Sequence, residues 1–247
     1  MKRYLIIMLL FSAISQGVAQ TSNTHEETLR EIIREMKNLK KVEKGGYYLM
    51  DIQLKMTPKT TRYYANMQVE AKDVRLKMIL GQEYLLYETE FLSVYQDGKD
   101  NFQVFHPDKL ILRKPVPPGT FEQYNQLLSN SSQLNDELFD AGRLIDVQDE
   151  VINGVSVKKL VYRISRIGAE KYGIQTTAYW YNPQTKKLVK QHSTFVDKHP
   201  MQTQEVVYHQ LDANYKGRFP RTAKSAVLDK SAALLPKYSQ YKLETTE

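Results

Sequence analysis

Alternation of apolar and polar residues over long stretches constrains this chain more than any other feature. Between Tyr84 and Arg113, two aromatic-rich runs flank the segment Asp97-Gly98-Lys99-Asp100. Glycine supplies the positive φ that a tight turn needs, and aspartate tolerates turn geometry. The stretch therefore predicts a hairpin with strands at Glu90–Gln96 and Asn101–His106.

The same period of two continues on both sides of this hairpin. Such strands have one apolar and one polar face, which favours antiparallel pairing. Asn153-Gly154 marks a second hairpin turn. We expect a mainly β fold with helices, of the α+β class, with about nine to eleven strands. The predicted strands outside the first hairpin are 48–56, 63–69, 74–80, 144–152, 155–164, 174–181, 187–196 and 202–213.

Two helical regions accompany the strands. Residues 24–44 begin with a capping box formed by Thr24 and Glu27 and end before Gly45-Gly46. One apolar stripe runs along this segment, which predicts an N-terminal amphipathic helix packed on the sheet. Residues 116–142 begin with prolines and continue with apolar residues at helical spacing, which predicts a helical insertion that serves as a lid. The stripe consists of Leu29, Ile32, Ile33, Met36 and Leu39.

The first twenty residues predict a secretory signal peptide that is removed from the fold. Lys2 and Arg3 precede an apolar run, and Gly17-Val18-Ala19 supplies small residues for cleavage. The apolar run is too short to cross a bilayer, which needs roughly 20 apolar residues. The rest of the chain is expected to form a half-barrel domain at 21–217 and a partly helical C-terminal tail at 218–247.

Cysteine usage and net charge limit the compartment and the partners. The chain has no cysteine, so it forms no disulfide and cannot carry the acylated cysteine of a lipoprotein. Secreted eukaryotic domains often depend on disulfides, whereas a bacterial periplasmic protein needs none. We expect a periplasmic protein of a Gram-negative-type bacterium, with no transmembrane segment after cleavage. The net charge of +7 favours solubility or weak attraction to anionic lipid headgroups, and the compartment disfavours nucleic acid.

Patterns typical of enzymes are scarce. The five histidines lack the spacing of metal ligands. The chain contains neither a Gly-x-Ser-x-Gly turn nor a glycine-rich phosphate loop. Glu88 and Glu90 are two carboxylates on one predicted strand face, as in a glycosidase, but such pairs are more often a solvated face. We therefore expect no enzyme, no cofactor and no metal, and the enzymatic alternative is a hydrolase with a dispersed site around Glu88, Glu90 and His106.

Methionines occupy the apolar phase of the first three predicted strands. Ordinary core packing accounts for each of them taken singly. Together they also suit a pocket for an apolar ligand, because methionine adapts to variable shapes. Both interpretations stay open at this point. The residues are Met50, Met56, Met67 and Met78.

The order of these elements resembles the periplasmic outer-membrane lipoprotein carrier and sorting (LolA-like) superfamily. The resemblance lies in the hairpin residues 92–99 and 102–107 and in Tyr179-Trp180-Tyr181-Asn182-Pro183. It implies an unclosed antiparallel β-barrel in which helices form a lid over an apolar cavity, and in carriers this cavity holds the acyl chains of a lipoprotein. The implied lining is Met50, Ile52, Met67, Val69, Leu76 and Met78, with Phe121, Tyr124 and Leu127 in the lid.

The resemblance leads to a functional expectation with one alternative. The first is a non-enzymatic, soluble periplasmic protein that binds or carries lipid or lipidated protein. Its partners are then acyl chains, lipoproteins and envelope membrane proteins. The alternative is an envelope interaction or regulatory module that uses the concave sheet face without lipid transfer.

Overall fold

A computed structural model describes residues 24–35, 45–59, 72–121 and 137–246 of the chain. Within these ranges, twelve strands form one open sheet in the order β12-β6-β5-β4-β3-β2-β1-β11-β10-β9-β8-β7. All neighbouring strands are antiparallel except β12, which runs parallel to β6. The strands are β1 (Tyr48–Pro58), β2 (Lys72–Gly81), β3 (Tyr84–Glu88), β4 (Leu92–Asp97), β5 (Asp100–Phe105), β6 (Leu110–Pro115), β7 (Gly142–Ile152), β8 (Val155–Ile164), β9 (Ile174–Asn182), β10 (Lys187–Phe195), β11 (Met201–Asp212) and β12 (Lys242–Thr245).

Four helices accompany the sheet in the described residues. They are α1 (24–35), α2 (137–141), α3 (Arg166–Tyr172) and α4 (Ala223–Val227). The predicted α+β half-barrel is thus confirmed, with twelve described strands in place of nine to eleven, and β3, β6 and β12 are the strands that the predicted ranges did not include. The predicted strand 63–69, the signal peptide 1–20 and residues 122–136 of the insertion lie outside the described residues. No described helix has the length and apolar character needed to cross a membrane.

Both predicted hairpins form, but Gly98 does not adopt the positive φ expected of it. The Asp97 carboxylate accepts hydrogen bonds from the backbone N–H groups of Lys99 and Asp100, at 2.9 and 3.0 Å. Asn153 and Gly154 adopt the left-handed φ values of 52° and 79° that this turn requires. The first hairpin strand begins at Leu92 and not at Glu90, because Thr89 closes a tight turn by donating from its backbone N–H to the Leu92 carbonyl at 2.9 Å.

Cross-strand register defines two faces of the sheet. Directly paired residues share a face. The tail face carries the row Leu49, Ile79, Leu86, Tyr95 and Phe102 across β1 to β5. The opposite face is the helix face, and it carries the row Tyr179, Gln191, Val206, Leu54 and Val74 from β9 to β2.

The C-terminal segment packs on the tail face. Ala223, Ala226 and Val227 of α4 are fully buried against a core of β1 to β6 side chains. Tyr238 joins the same core, and β12 then pairs with β6. The segment predicted as a partly helical tail therefore covers one side of half the sheet.

Helix α1 packs on the helix face in the other half. Leu29, Ile32 and Ile33 are almost completely buried, at 0, 3 and 4% exposure, as the apolar stripe predicts. Met36 and Leu39 of this stripe lie outside the described residues. The sheet side chains in this cluster all belong to β7 through β11, and Phe139 of α2 completes it. The described helices thus cover the helix face of one half of the sheet.

Candidate functional site

An apolar strip occupies the helix face of β1 to β6. Its central row runs through directly paired residues from Met50 to Met78, Tyr87 and Val94, then passes the polar Gln103 on β5 and reaches Leu112 on β6. Nearly all of its side chains are half-buried, so they retain contact area for another molecule. The strip comprises Met50, Ile52, Leu54, Val74, Leu76, Met78, Leu85, Tyr87, Leu92, Val94, Phe105, Leu110 and Leu112.

Four of the predicted lining residues meet in this strip. Met50 lies opposite Met78, and Ile52 lies opposite Leu76. Ile52 is 8% exposed, whereas the other three are half-buried. Phe121 is half-buried at the start of the insertion. Met67, Val69, Tyr124 and Leu127 lie outside the described residues, and the ligand-lining role of the whole set stays a prediction.

Strands β3 to β6 carry apolar residues on both faces, whereas β1 and β2 are mostly polar on the tail face beyond Leu49 and Ile79. In β4, Leu92 and Val94 point to the helix face, while Tyr95 points to the tail face. An antiparallel strand with one solvated face would place polar residues there. On the tail face the C-terminal segment supplies the cover. On the helix face, the cluster beneath α1 includes no strip residue among those described.

Tyrosine hydroxyls gather on the helix face beside the strip. Tyr208 pairs directly with Ile52 and donates its hydroxyl to Gln191 Oε1 at 3.3 Å. Burial raises the pKa of Tyr48 and of Tyr179 to about 12. Burial, followed by the neighbouring Tyr179 and Tyr48 hydroxyls, also raises the pKa of Tyr208. These groups are therefore neutral hydrogen-bond donors at physiological pH.

A second polar cluster lies on the tail face and joins the C-terminal segment to the sheet. Ser93 Oγ lies 2.8 Å from His106 Nε2, and His106 Nδ1 lies 3.1 Å from the Tyr241 hydroxyl. Tyr95 donates to Glu88 at 2.7 Å and contacts the Tyr238 hydroxyl at 3.0 Å. Ser93 and His106 have the contact of a nucleophile and a base, but Ser93 is 3% exposed beneath the C-terminal segment. The cluster fastens this segment to the sheet.

Of the predicted dispersed hydrolase residues, Glu88 and His106 lie in the tail-face cluster and Glu90 lies apart from it. Glu88 bonds Tyr95 inside the tail-face cluster. Glu90 is exposed in the bend before β4, so the two carboxylates do not form the expected strand pair. Within the described ranges, no group of three or more acidic or histidine side chains is arranged to hold a metal ion.

Acidification is expected to destabilise the protein partly through His106. Burial lowers its pKa below the ordinary 6.5, Glu88 opposes this shift, and Lys237 adds to it. The unfolded chain then takes up the proton at a higher pH, so the free energy of unfolding falls as pH drops below 6.5. In His106→Gln, the free energy of unfolding from urea denaturation should differ less between about pH 7.5 and about pH 5.5 than it does in the parent protein.

The matched control is His209→Gln, because His209 is exposed on β11. This variant should keep the pH dependence of the parent protein. His25 and His192, whose pKa values burial also lowers, account for the dependence that persists in His106→Gln. An unchanged dependence in His106→Gln would contradict a buried, neutral imidazole at this position.

The sequence indicated the strip but not the tyrosine group. The strip follows from the apolar phase of β1 and β2. The available signal was limited to Tyr48, which is in phase with Met50 and Ile52, because Tyr208 directly follows Val207 and shows no alternation with polar residues. The proximity of Tyr48, Tyr179 and Tyr208 depends on the strand order β1-β11-β10-β9, which alternation does not reveal.

Comparisons with known proteins give distant structural neighbours. No protein-family model and no curated protein matches the sequence. A putative outer membrane lipoprotein-sorting protein domain from Vibrio parahaemolyticus is 13% identical, with 77% of this chain and 93% of that one covered and a TM-score of 0.26. A LolA superfamily protein from Nitrosomonas europaea is 9% identical, with 73% and 91% covered and a TM-score of 0.27.

A third neighbour is a complex. The MucA/MucB complex from Pseudomonas aeruginosa aligns at 7% identity, with 74% of this chain and 56% of that chain covered and a TM-score of 0.31. Proteins of the superfamily that the sequence resembles are thus among the structural neighbours. Superposition this loose assigns no function, and what those proteins sort or assemble with is a property of those proteins.

Proposed function

We propose that this protein binds the acyl chains of a lipid or of a lipidated protein on the apolar strip. The observation that carries the proposal is the strip of mostly half-buried apolar side chains on β1 to β6, interrupted in its central row by Gln103. It lies on a face where the described part of α1 packs against the other half of the sheet. Binding or carrying is the function, and no chemical step is involved. The periplasm is the proposed compartment, and the insertion 116–142 is the proposed lid.

The energetics of such a surface suit reversible capture. Transfer of an acyl chain from water gains about 0.8 kcal/mol per buried methylene. Methionine side chains adapt their shape at little cost, so Met50 and Met78 accommodate chains of different length. Binding to the strip also leaves no backbone N–H or C=O group unpaired, because these groups of β1 to β6 already bond to one another in the sheet.

Met78→Glu is expected to weaken acyl-chain binding at least about 10-fold, which is about 1.4 kcal/mol. The new carboxylate would have to lose its water beneath the acyl chain, and an unpaired charge is costly to desolvate. The measurement is a titration with a fluorescent fatty acid, followed through emission of the probe. Lipid extracted from the wild-type protein after export in a Gram-negative host identifies the natural ligand by mass spectrometry.

Thr57→Glu is the matched control for this experiment. Thr57 is exposed on β1, and its pairing with Thr203 places it on the tail face, so the same charge is added away from the strip. Its affinity for the probe should equal that of the wild type. Equal losses in the two variants, or no binding by the wild type, would refute the proposed function.

A second candidate function is interaction with an envelope protein without lipid transfer. It is favoured by the sheet edge at β7, which has no strand partner on its outer side in the described part of the chain. Ile145 and Val151 near this edge are 44 and 70% exposed. Extended segments of other proteins add to such edges. A preparation that retains an envelope protein through β7 and carries no lipid would favour this function.

A further inference from the structure

We infer that the hydroxyl groups of Tyr179 and Tyr208 hold the ester or amide carbonyls at the head of a bound acyl ligand. The inference rests on the proposed function and adds the class of ligand, an acyl ester or amide in preference to a plain hydrocarbon. It also gives the ligand a direction, with its chains on the strip and its head towards β11 and β9.

The position of the tyrosines supports this direction. Tyr208 is the direct cross-strand partner of Ile52, so it lies at the end of the strip that faces the α1-covered half. Tyr179 lies on the same face, in the row that continues through Val206 to Leu54 of the strip. An acyl chain on the strip therefore ends next to phenol groups, and the aromatic rings continue the apolar surface up to their hydroxyls.

Within the described part of the chain, the Tyr179 hydroxyl lacks a hydrogen-bond acceptor, which a bound ligand could supply. Tyr179 is 1% exposed, and its hydroxyl has no hydrogen-bond partner of suitable geometry among the residues that the structure describes. The Thr177 hydroxyl is a polar neighbour that partly offsets the effect of burial on the Tyr179 pKa. The Tyr208 hydroxyl donates to Gln191 Oε1 in a long hydrogen bond of 3.3 Å. Buried hydroxyls are normally paired, and an unpaired one is destabilising.

The required acceptor has a definite chemistry. Both tyrosines are neutral donors, so they match a carbonyl oxygen and do not neutralise an anion. The helix-face row that holds Tyr179 carries the uncharged Gln191, Val206 and Leu54. Glyceride esters and the amide of an acylated amino terminus present such carbonyls directly beside their chains. A phosphate or a free carboxylate would instead need a cation in this row.

Titrations with two pyrene-labelled probes of equal chain length test the inference, one a diacylglycerol and the other an alkane. Tyr179→Phe and Tyr208→Phe should each weaken diacylglycerol binding at least about five-fold and leave alkane binding unchanged. Thermal unfolding of ligand-free Tyr179→Phe should occur at the same or a higher temperature, because the variant removes an unpaired buried hydroxyl. A hydroxyl with a purely structural role would lower that temperature instead.

Tyr84→Phe provides the control. Tyr84 also has a buried hydroxyl without a partner among the described residues, but it packs in the tail-face core. It should bind both probes as the wild type does. If Tyr179→Phe binds both probes normally, or if Tyr84→Phe shows the same loss, the inference is wrong while acyl binding stands. If the wild type binds neither probe, the proposed function itself fails.

Discussion

Removal of residues 218–247 is expected to abolish cooperative folding of the sheet. The truncation exposes the tail face of β1 to β6, where Ile79, Phe102 and Ile111 are completely buried in the intact chain. It also deletes β12 and the backbone N–H of Ala223 that donates to the Asp97 carboxylate at 2.8 Å. Losing these contacts costs about 5 kcal/mol or more, which is comparable with the whole stability of a typical domain.

A point substitution measures the same contact in a folded protein. Val227→Ala removes two methyl groups from a fully buried site on α4, so we expect a loss of about 2 kcal/mol in the free energy of unfolding. Urea denaturation followed by tryptophan fluorescence gives this value through Trp180. Lys230→Ala, at an exposed position of the same segment, should change the stability by no more than about 0.5 kcal/mol.

The truncated chain decides between two views of the C-terminal segment. Sequence alone placed it outside the half-barrel domain as a tail. If the truncated protein unfolds in one transition at the urea concentration of the parent protein, the segment is an appendage. If it aggregates or loses its transition, the segment is part of the domain core.

Alternation predicted the strands well because it reports a local property. Each strand shows its two faces in its own sequence. The turns carry Asp97, whose carboxylate accepts the turn N–H groups, and Asn153-Gly154, which adopt positive φ. The tail face was harder to predict, since its cover comes from residues far along the chain, where Ala223, Ala226, Val227 and Tyr238 show no strand alternation that links them to β1 to β6. The signal that was present is the run Tyr84–Tyr87, which is apolar at every position and therefore indicates cover on both faces.

The site depends on which strands become neighbours. Alternation assigned Met50, Ile52, Leu76 and Met78 to one face, and the register of β1 with β2 places them opposite one another. The tail-face cluster joins His106 to Tyr241, which lies 135 positions further along the chain. No spacing rule covers such a distance, because the contact is produced by the return of the C-terminal segment along β6.

Leu29→Ala is expected to lower the free energy of unfolding by about 2 to 5 kcal/mol. Leu29 is completely buried between α1 and the helix face, and the cavity left by its side chain cannot be filled by the paired strands beneath it. Arg34→Ala, at an exposed position of the same helix, should stay within about 0.5 kcal/mol of the parent protein. Urea denaturation of both variants gives the comparison.

Leu29→Ala also tests which half of the helix face binds the acyl chain. The cluster around Leu29 takes its sheet residues from β7 to β11, whereas the strip lies on β1 to β6. Leu29→Ala should therefore bind the fluorescent fatty acid as the wild type does, in conditions where it is still folded. The chain of this probe lies on the strip, and its free carboxylate makes no use of Tyr179 and Tyr208, which belong to the Leu29 cluster. A substantial loss of affinity would mean that α1 forms a wall of the binding surface. In that case the acyl chain itself, and not only the head of the ligand, would lie on the residues beneath α1.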